Sequence, residues 1–339
     1  MPRHVTQRTL VSAGYMPLDV ITDGCQVWRR AGGTAGNVAA ITAFLGWQSA
    51  LAGRIGNDPA AAEFVADLAR AGVDLALVKR EHGGLTNRLI HHASSTGHRY
   101  AYTCPHCSQR LPRSRPLTLS QVDEVVNAWS SPTVYFFDRA NAATVELAER
   151  YAASGSLVVF EPSTPANAEL IQRAIAAAGI VKGSAEHGPE LVATYRTEHP
   201  DQLRVITDGG AGASFRLGAG SWQRVGVYEV ALADAAGAGD WTTAGLIHHL
   251  AGRGAPNEEA ILKGIEFGHS LAALNCALPG ARGLMDARAR SSVLALATRL
   301  RQGEYVVPAR QELSRLGVPA GHCAWCLLAE ADTSVRAQA

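Results

Sequence analysis

Long hydrophobic runs are missing from this sequence. Its most apolar stretch, Val38 to Trp47, falls well short of the roughly 20 residues a membrane-spanning helix requires. The N-terminal Met1-Pro-Arg-His-Val-Thr-Gln-Arg also lacks the apolar core of a secretion signal, so a cytoplasmic chain with no membrane partner is expected. An excess of one charge is missing as well: Lys and Arg total 31 against 30 Asp and Glu, a net charge of +1, which points to no nucleic acid partner. Neither a Gly-x-x-x-x-Gly-Lys-Ser/Thr loop nor the glycine spacing of a dinucleotide fingerprint occurs, which removes two common routes to phosphate binding. There is no internal repeat and no low-complexity tract.

What is present is a chain of 339 residues, 47% apolar and 18% charged, enough for one large α/β core or two modest ones. Runs of β-formers alternate with helical patterns. Thr9–Tyr15 reads as a strand, 38–45 as an Ala-rich helix, 48–53 as a strand and 59–71 as a helix opened by Asp58 and Pro59. The same rhythm resumes from Ser120 and continues through a helix expected over 186–195. It predicts a mainly parallel sheet flanked by helices. Two short segments break it. Residues 20–31 form a short excursion in which Gln26–Arg30 reads as extended, and 86–90 with 98–102 alternate like a hairpin joined by Ser94-Ser-Thr-Gly97; together they could build a small β-strand lid.

The organising stretch is Asp234-Ala-Ala-Gly-Ala-Gly-Asp240. A strand pattern over 223–233 precedes it and a helix over 241–250 follows, so Gly237-Ala238-Gly239 sits at a strand-to-helix turn. The first N–H groups of a helix have no partner within it and attract anions, phosphate especially. Asp240 falls in the first turn, where the helix dipole favours a carboxylate and is expected to keep it ionised at neutral pH. A charged carboxylate beside a phosphate cradle suits hydroxyl-to-phosphate transfer, although a first-turn Asp also serves as a simple cap. Upstream, Asp19 lies just beyond the first strand, where open α/β sheets place ligand contacts, and Asn37 reads as an N-cap after a pair of glycines.

Of the 6 cysteines, four form two Cys-x-x-Cys pairs, Cys104/Cys107 and Cys323/Cys326, while Cys25 and Cys276 stand alone as small hydrophobes. Cys104-Pro-His-Cys107 spells a strongly oxidising thiol–disulfide motif, but it lies by a Pro/Arg-rich linker rather than at a helix start. Two such pairs can supply four thiolates to one closed, tetrahedral Zn²⁺ site, pinning the tail (304–339) beside the lid; disulfides and free thiols are the alternatives. His106 and His322 read as surface residues. So do His91-His92 and His248-His249, as surface or packing residues. Arg30, Arg88 and Arg99 could guard a strand edge or touch substrate. Tyr135, Phe136 and Phe137 read as core.

Gly32-Gly-Thr-Ala-Gly-Asn37 and Asp234-Ala-Ala-Gly-Ala-Gly-Asp240, in that order on this βα background, resemble the two motifs of the PfkB, or ribokinase-like, small-molecule kinases over about residues 9–300. The resemblance implies a three-layer α/β/α fold over 1–303, with a mainly parallel central sheet and a lid from about 20–31 and 85–104. It implies an ATP-dependent kinase using Mg²⁺, acting on a sugar hydroxyl. Asp240 would be the general base, with Gly237, Ala238 and Gly239 forming the anion hole. Asp19, Gly33 and Asn37 would hold the acceptor. Thr207, Gly209, Gly212 and Asn275 would surround the nucleotide, Glu186 would arrange its magnesium, and the lid would pair two chains into a homodimer. A nucleoside kinase and a catalytically silent sugar- or nucleotide-binding regulator are the alternatives. The departures are Gly183-Ser-Ala-Glu186 for Asn-x-x-Glu, Glu161-Pro-Ser163 for Asp-Pro-Asn, Ala235 for Thr, and the bulky Trp241 beside the base, which together suggest an unusual acceptor.

Overall fold

The computed structural model describes residues 7–22, 27–94, 97–163, 166–186, 199–252, 254–307 and 322–329. The helix expected over 186–195 therefore lies largely outside the described residues, as does Cys25. A ten-stranded sheet forms the centre. Its strands are β1 (Thr9–Ala13), β4 (Gln48–Gly56), β5 (Val73–Asp74), β6 (Val78–Glu81), β9 (Val134–Phe137), β10 (Leu157–Phe160), β11 (Ile180–Ser184), β12 (Leu203–Thr207), β13 (Ala213–Leu217) and β14 (Gln223–Val225). The order is β14-β13-β12-β11-β10-β9-β1-β4-β5, with β6 also on β4. Only the β12–β13 and β13–β14 pairs are antiparallel. The strand read over 223–233 is shorter than its pattern: after Val225 only a bridge from Val230 to Val307 remains.

The parallel strands are mainly apolar because both faces are covered. Leu10, Phe136, Val159 and Ile180 point into one layer of core, while Val11, Tyr135, Phe137, Val158 and Val181 point into the other. On the first side lie α1 (Thr34–Phe44), α2 (Pro59–Arg70), α6 (Ala238–Leu250), α7 (Glu258–Cys276) and α9 (Arg290–Arg301). On the second lie α3 (Val122–Ala128), α4 (Ala142–Ala153) and α5 (Ala168–Ala177). With the short α8 (Gly283–Ala287), that makes nine α-helices among the described residues. The result is the three-layer α/β/α arrangement.

A second, four-stranded sheet stands apart, in the order β3-β2-β7-β8. It comprises β2 (Leu18–Thr22), β3 (Val27–Ala31), β7 (Arg88–Ser94) and β8 (Gly97–Ala101), with β2 and β7 parallel at its middle. The first strand stops at Ala13, and Asp19 belongs to this second sheet rather than to a loop. Arg88 joins the two sheets. Fully buried, it ion-pairs with Asp58 at 2.6 Å and donates to the Thr86 carbonyl at 2.7 Å. Asp58 also caps α2 by accepting from the Ala61 N–H, and the Thr86 hydroxyl together with Arg88 holds its carboxyl below the usual range despite burial. Arg88 is therefore neither an edge guard nor a substrate contact. Arg30 is likewise engaged, with Asp67 and Asp286, and the Arg99 side chain lies outside what is described.

Candidate active site

A cleft of about 810 Å³ opens at the carboxyl ends of β1, β9, β10 and β11, beneath the small sheet. Strand ends of an open α/β sheet are where its helices and loops leave room for a ligand. Asp240 borders it, yet is 8% exposed. Its Oδ2 accepts from the Asn37 amide at 2.7 Å. Burial, and then the nearby Glu161 carboxylate, push its carboxyl up to about 7, so the dipole of α6 does not keep it fully ionised at neutral pH as expected from the sequence. Asp19 is pushed up to about 7 as well, by burial against the pull of Arg282 and with Asp240 adding repulsion. Asp19 Oδ1 and Asn37 Oδ1 are buried and accept no hydrogen bond among the described residues. Such orphaned acceptors cost about 1–3 kcal/mol each unless a ligand donates to them.

The glycines explain how these groups approach one another. Gly237 starts α6 in the left-handed region at φ 75°, and a Cβ there would lie 2.4 Å from the Ala281 carbonyl oxygen. Gly32 lies against Asp19, where a Cβ would come within 1.9 Å of Oδ2. Gly33 occupies the N-cap position of α1, so Asn37 is one turn inside that helix and not its cap. Its amide is thereby free for Asp240. Of the three residues at the mouth of α6, Ala238 already donates its N–H to Ala235 at 3.2 Å, whereas Gly239 and Asp240 fall at first-turn positions whose N–H groups lack an intrahelical acceptor.

Asp234 holds this mouth in shape by accepting from the Ala236 N–H at 2.9 Å and the Gly280 N–H at 2.8 Å. Asn275 does related work. Fully buried, it donates to the carbonyls of Ala236 and Gly280 and accepts from Leu284 N–H, so its amide ties the loop to α7. Trp241 turns away from the cleft. Its indole donates to Ala281 at 3.0 Å and packs edge-on against Phe44, so its bulk fills core and does not crowd an acceptor.

Thr207, Gly209 and Gly212 come together where β12 turns back into β13, and Thr207 donates to the Gly183 carbonyl on the neighbouring strand at 3.2 Å. Glu186 follows β11, exposed and without an ion pair among the described residues. Several residues in or behind the cleft, Lys182, Thr243, Asp138 and Arg139 among them, went unnamed in the sequence reading. Lys182 is buried and pairs with Glu161 at 2.5 Å, and Thr243 donates to the same carboxylate at 2.7 Å. The Lys182 ammonium lies only 3.6 Å from where a Cβ on Gly239 would stand, beside the helix mouth. Asp138, whose carboxyl burial raises to about 6, accepts from Tyr15 N–H, and Arg139 lies over the Tyr15 ring at 4.6 Å. Asp138, just after β9, and Lys182, in the middle of β11, could have been found by reading the parallel strands through to their carboxyl ends. His91 is buried against Tyr100 and borders the cleft, so it is not a surface residue.

The two Cys-x-x-Cys pairs converge, 219 residues apart in sequence. All four sulfurs lie within 4.8 Å of one another, and none of the four residues borders the cleft. His106 accompanies them without joining the four, with Nδ1 at 3.4 Å from the Cys323 sulfur.

Comparison with known proteins adds the decisive observation. The model of the pfkB family carbohydrate kinases matches residues 8–288, most of the chain. The chain belongs to that family. PfkB kinases are phosphotransferases acting on hydroxyl groups, and so is this enzyme. Curated protein sequences give no significant match. Among solved structures, a fructokinase from Vibrio cholerae O395 in a fructose-, ADP- and calcium-bound form is similar, with a TM-score of 0.66, 23% identity, and coverage of 86% of this chain and 99% of that one. An uncharacterized sugar kinase from Pyrococcus horikoshii gives 0.67, 21%, 86% and 99% for the same measures. Aminoimidazole riboside kinase from Salmonella enterica, complexed with aminoimidazole riboside and an ATP analogue, gives 0.66, 19%, 86% and 100%. At these identities the likeness is one of fold. No helix among the described residues is long and apolar enough to cross a membrane.

Proposed function

We propose that this PfkB kinase transfers the γ-phosphoryl group of ATP to a hydroxyl of a sugar, with Asp240 as general base. One observation carries the reading: Asp240 is buried at the glycine-lined mouth of α6, fixed by Asn37, with a carboxyl poised at about 7. The acceptor alcohol gives its proton to Asp240 as its oxygen attacks the γ-phosphorus, and the bond to the bridging β-γ oxygen breaks to release ADP. A base near neutrality is matched to that task. Asp19, Asn37 and the Gly33 turn hold the acceptor's hydroxyls, and the orphaned oxygens of Asp19 and Asn37 are their acceptors.

The N–H groups of Gly239 and Asp240 face the developing negative charge, with Lys182 beside them. Thr207, Gly209 and Gly212 line the nucleotide. Glu186 offers an uncommitted carboxylate for Mg²⁺, which when bound neutralises phosphate charge. The small sheet acts as a lid over the acceptor, and its exposed Tyr100 and Tyr102 at the β8 end form the contact of a homodimer. Its setting is the cytoplasm.

Arg110, Arg113 and Arg139 border the acceptor end, and the first two have no ion pair among the described residues. They favour an acceptor that itself carries an anionic group. The test is ATP consumption across neutral sugars, phosphorylated and carboxylated sugars, and nucleosides, with Asp240→Asn as control. Acceptor-dependent turnover lost in the variant supports the reading. Tight binding of sugar or nucleotide with no turnover by the wild type would support the silent regulator instead, and turnover confined to nucleosides would assign a nucleoside kinase.

A further inference from the structure

We propose that Cys104, Cys107, Cys323 and Cys326 bind one structural Zn²⁺ that fastens the 322–329 segment beneath the small sheet. The two turns are built alike. Cys104 and Cys323 each accept at their carbonyl from the N–H four residues on, at 2.8 and 3.0 Å. Each turn is flanked by an antiparallel bridge, Thr103 with Arg110 and His322 with Ala329. Each ends on a non-glycine residue in the left-handed region, Ser108 at φ 60° and Leu327 at φ 58°. The third residues of the two turns, His106 and Trp325, stack on each other at 6.1 Å. The pairs thus face each other about a local twofold relation, as two halves of one coordination sphere.

The spacing decides between metal and disulfide. Zinc–sulfur bonds of about 2.3 Å at tetrahedral angles put the sulfurs about 3.8 Å apart. The cross-pair distances are 3.9 Å for Cys104–Cys323 and 3.6 Å for Cys107–Cys326, far beyond the roughly 2.05 Å of a disulfide. A redox role needs a reachable thiol. Cys104 and Cys326 are fully buried and Cys323 nearly so, in a small apolar cluster with Val20, Ile90 and Leu111. With four protein sulfurs the site is closed and non-catalytic.

The cluster bears on the kinase through the small sheet. Ile90 of β7 packs on the cysteines, while its neighbours Leu89 and His91 border the cleft. The same segment is tied down twice more, by Arg29 donating to the Ala324 carbonyl at 2.8 Å and by Arg88 to that of Leu327 at 3.4 Å. Loss of the metal is therefore expected to loosen β7 as well as the tail.

Elemental analysis of the full chain, purified without added metal or chelator, is expected to show about one zinc per molecule. Cys104→Ser with Cys323→Ser should remove it. Because that variant can fail to fold, the wild type is also tested directly: zinc is exchanged for cobalt, and tetrahedral thiolate ligation gives charge-transfer and intense visible bands. Hydrogen exchange in β7 should rise by about tenfold or more when a chelator strips the metal. Protein that neither carries nor takes up zinc after reduction, or a disulfide among these cysteines in the native protein, overturns the site. Unchanged exchange in β7 after zinc removal overturns its fastening role.

Discussion

The mouth of α6 and the four-cysteine cluster both gather polar or reactive groups in buried surroundings, yet they end in opposite states. Around Asp240 the fold leaves groups unsatisfied: two orphaned oxygens, two carboxyls raised to about 7, and first-turn N–H groups without acceptors. Around the cysteines the Cys104 and Cys323 carbonyls accept from the N–H groups of Ser108 and Leu327, and each sulfur has a sulfur of the other pair within 3.9 Å. An arrangement that leaves electrostatic demand open is suited to passing ligands. One that closes on itself is suited to holding shape. On the reading proposed above, the difference would separate a working end from a fastening end without reference to any relative.

The sharpest way to break the comparison is to remove the carboxylate proposed as the base. Asp240→Asn should lower kcat by about 10²–10⁴, with the circular dichroism spectrum unchanged. A variant that retains near-wild-type kcat would show that the open end has another base. Next comes Arg88→Met, which strips the partner from a buried Asp58 at the junction of the two sheets. Its expected effect is a loss of about 3–5 kcal/mol in denaturant unfolding.

Acidity should then separate the two ends. As the proposed base, Asp240 would have to be deprotonated to act, and kcat/KM should fall about tenfold per pH unit below about pH 7. Zinc content should be unmoved over the upper part of that range. The smallest effect concerns stability. Asp19 and Asp240 keep protons in the folded chain up to about pH 7, whereas their ordinary value is 3.8. The folded state therefore binds more protons between these limits, and stability declines as pH rises from 4 towards 7. Asp240→Asn, which cannot ionise, should raise Tm by a few degrees at pH 8 and leave it nearly unchanged at pH 4, measured by scanning calorimetry.

Much of this architecture was legible in the residues. The turn at Gly237, the carboxylate at Asp240, the nearness of Asp19 and Asn37 to it, and the convergence of the two cysteine turns follow from motifs of recognisable spacing. What was not legible depends on direction. The α7 pattern cannot tell whether Asn275 faces a nucleotide or a loop, and it faces the loop. Trp241 beside the base reads as an obstruction until its indole is seen turned inward. The ionisation of Asp240 was misjudged because a helix dipole is visible in sequence while its burial, and then the nearness of Glu161, 79 residues earlier, are not. Arg88 looked like an edge charge because nothing in a hairpin pattern reveals a carboxylate 30 residues away at a helix cap.

The separation of 219 residues between the cysteine turns sets an order of assembly. A ribosome delivers the first turn early and must complete the whole catalytic body before the second emerges. The second turn is therefore synthesised after every residue of the cleft, and the contact between the turns becomes available only once those residues have been made.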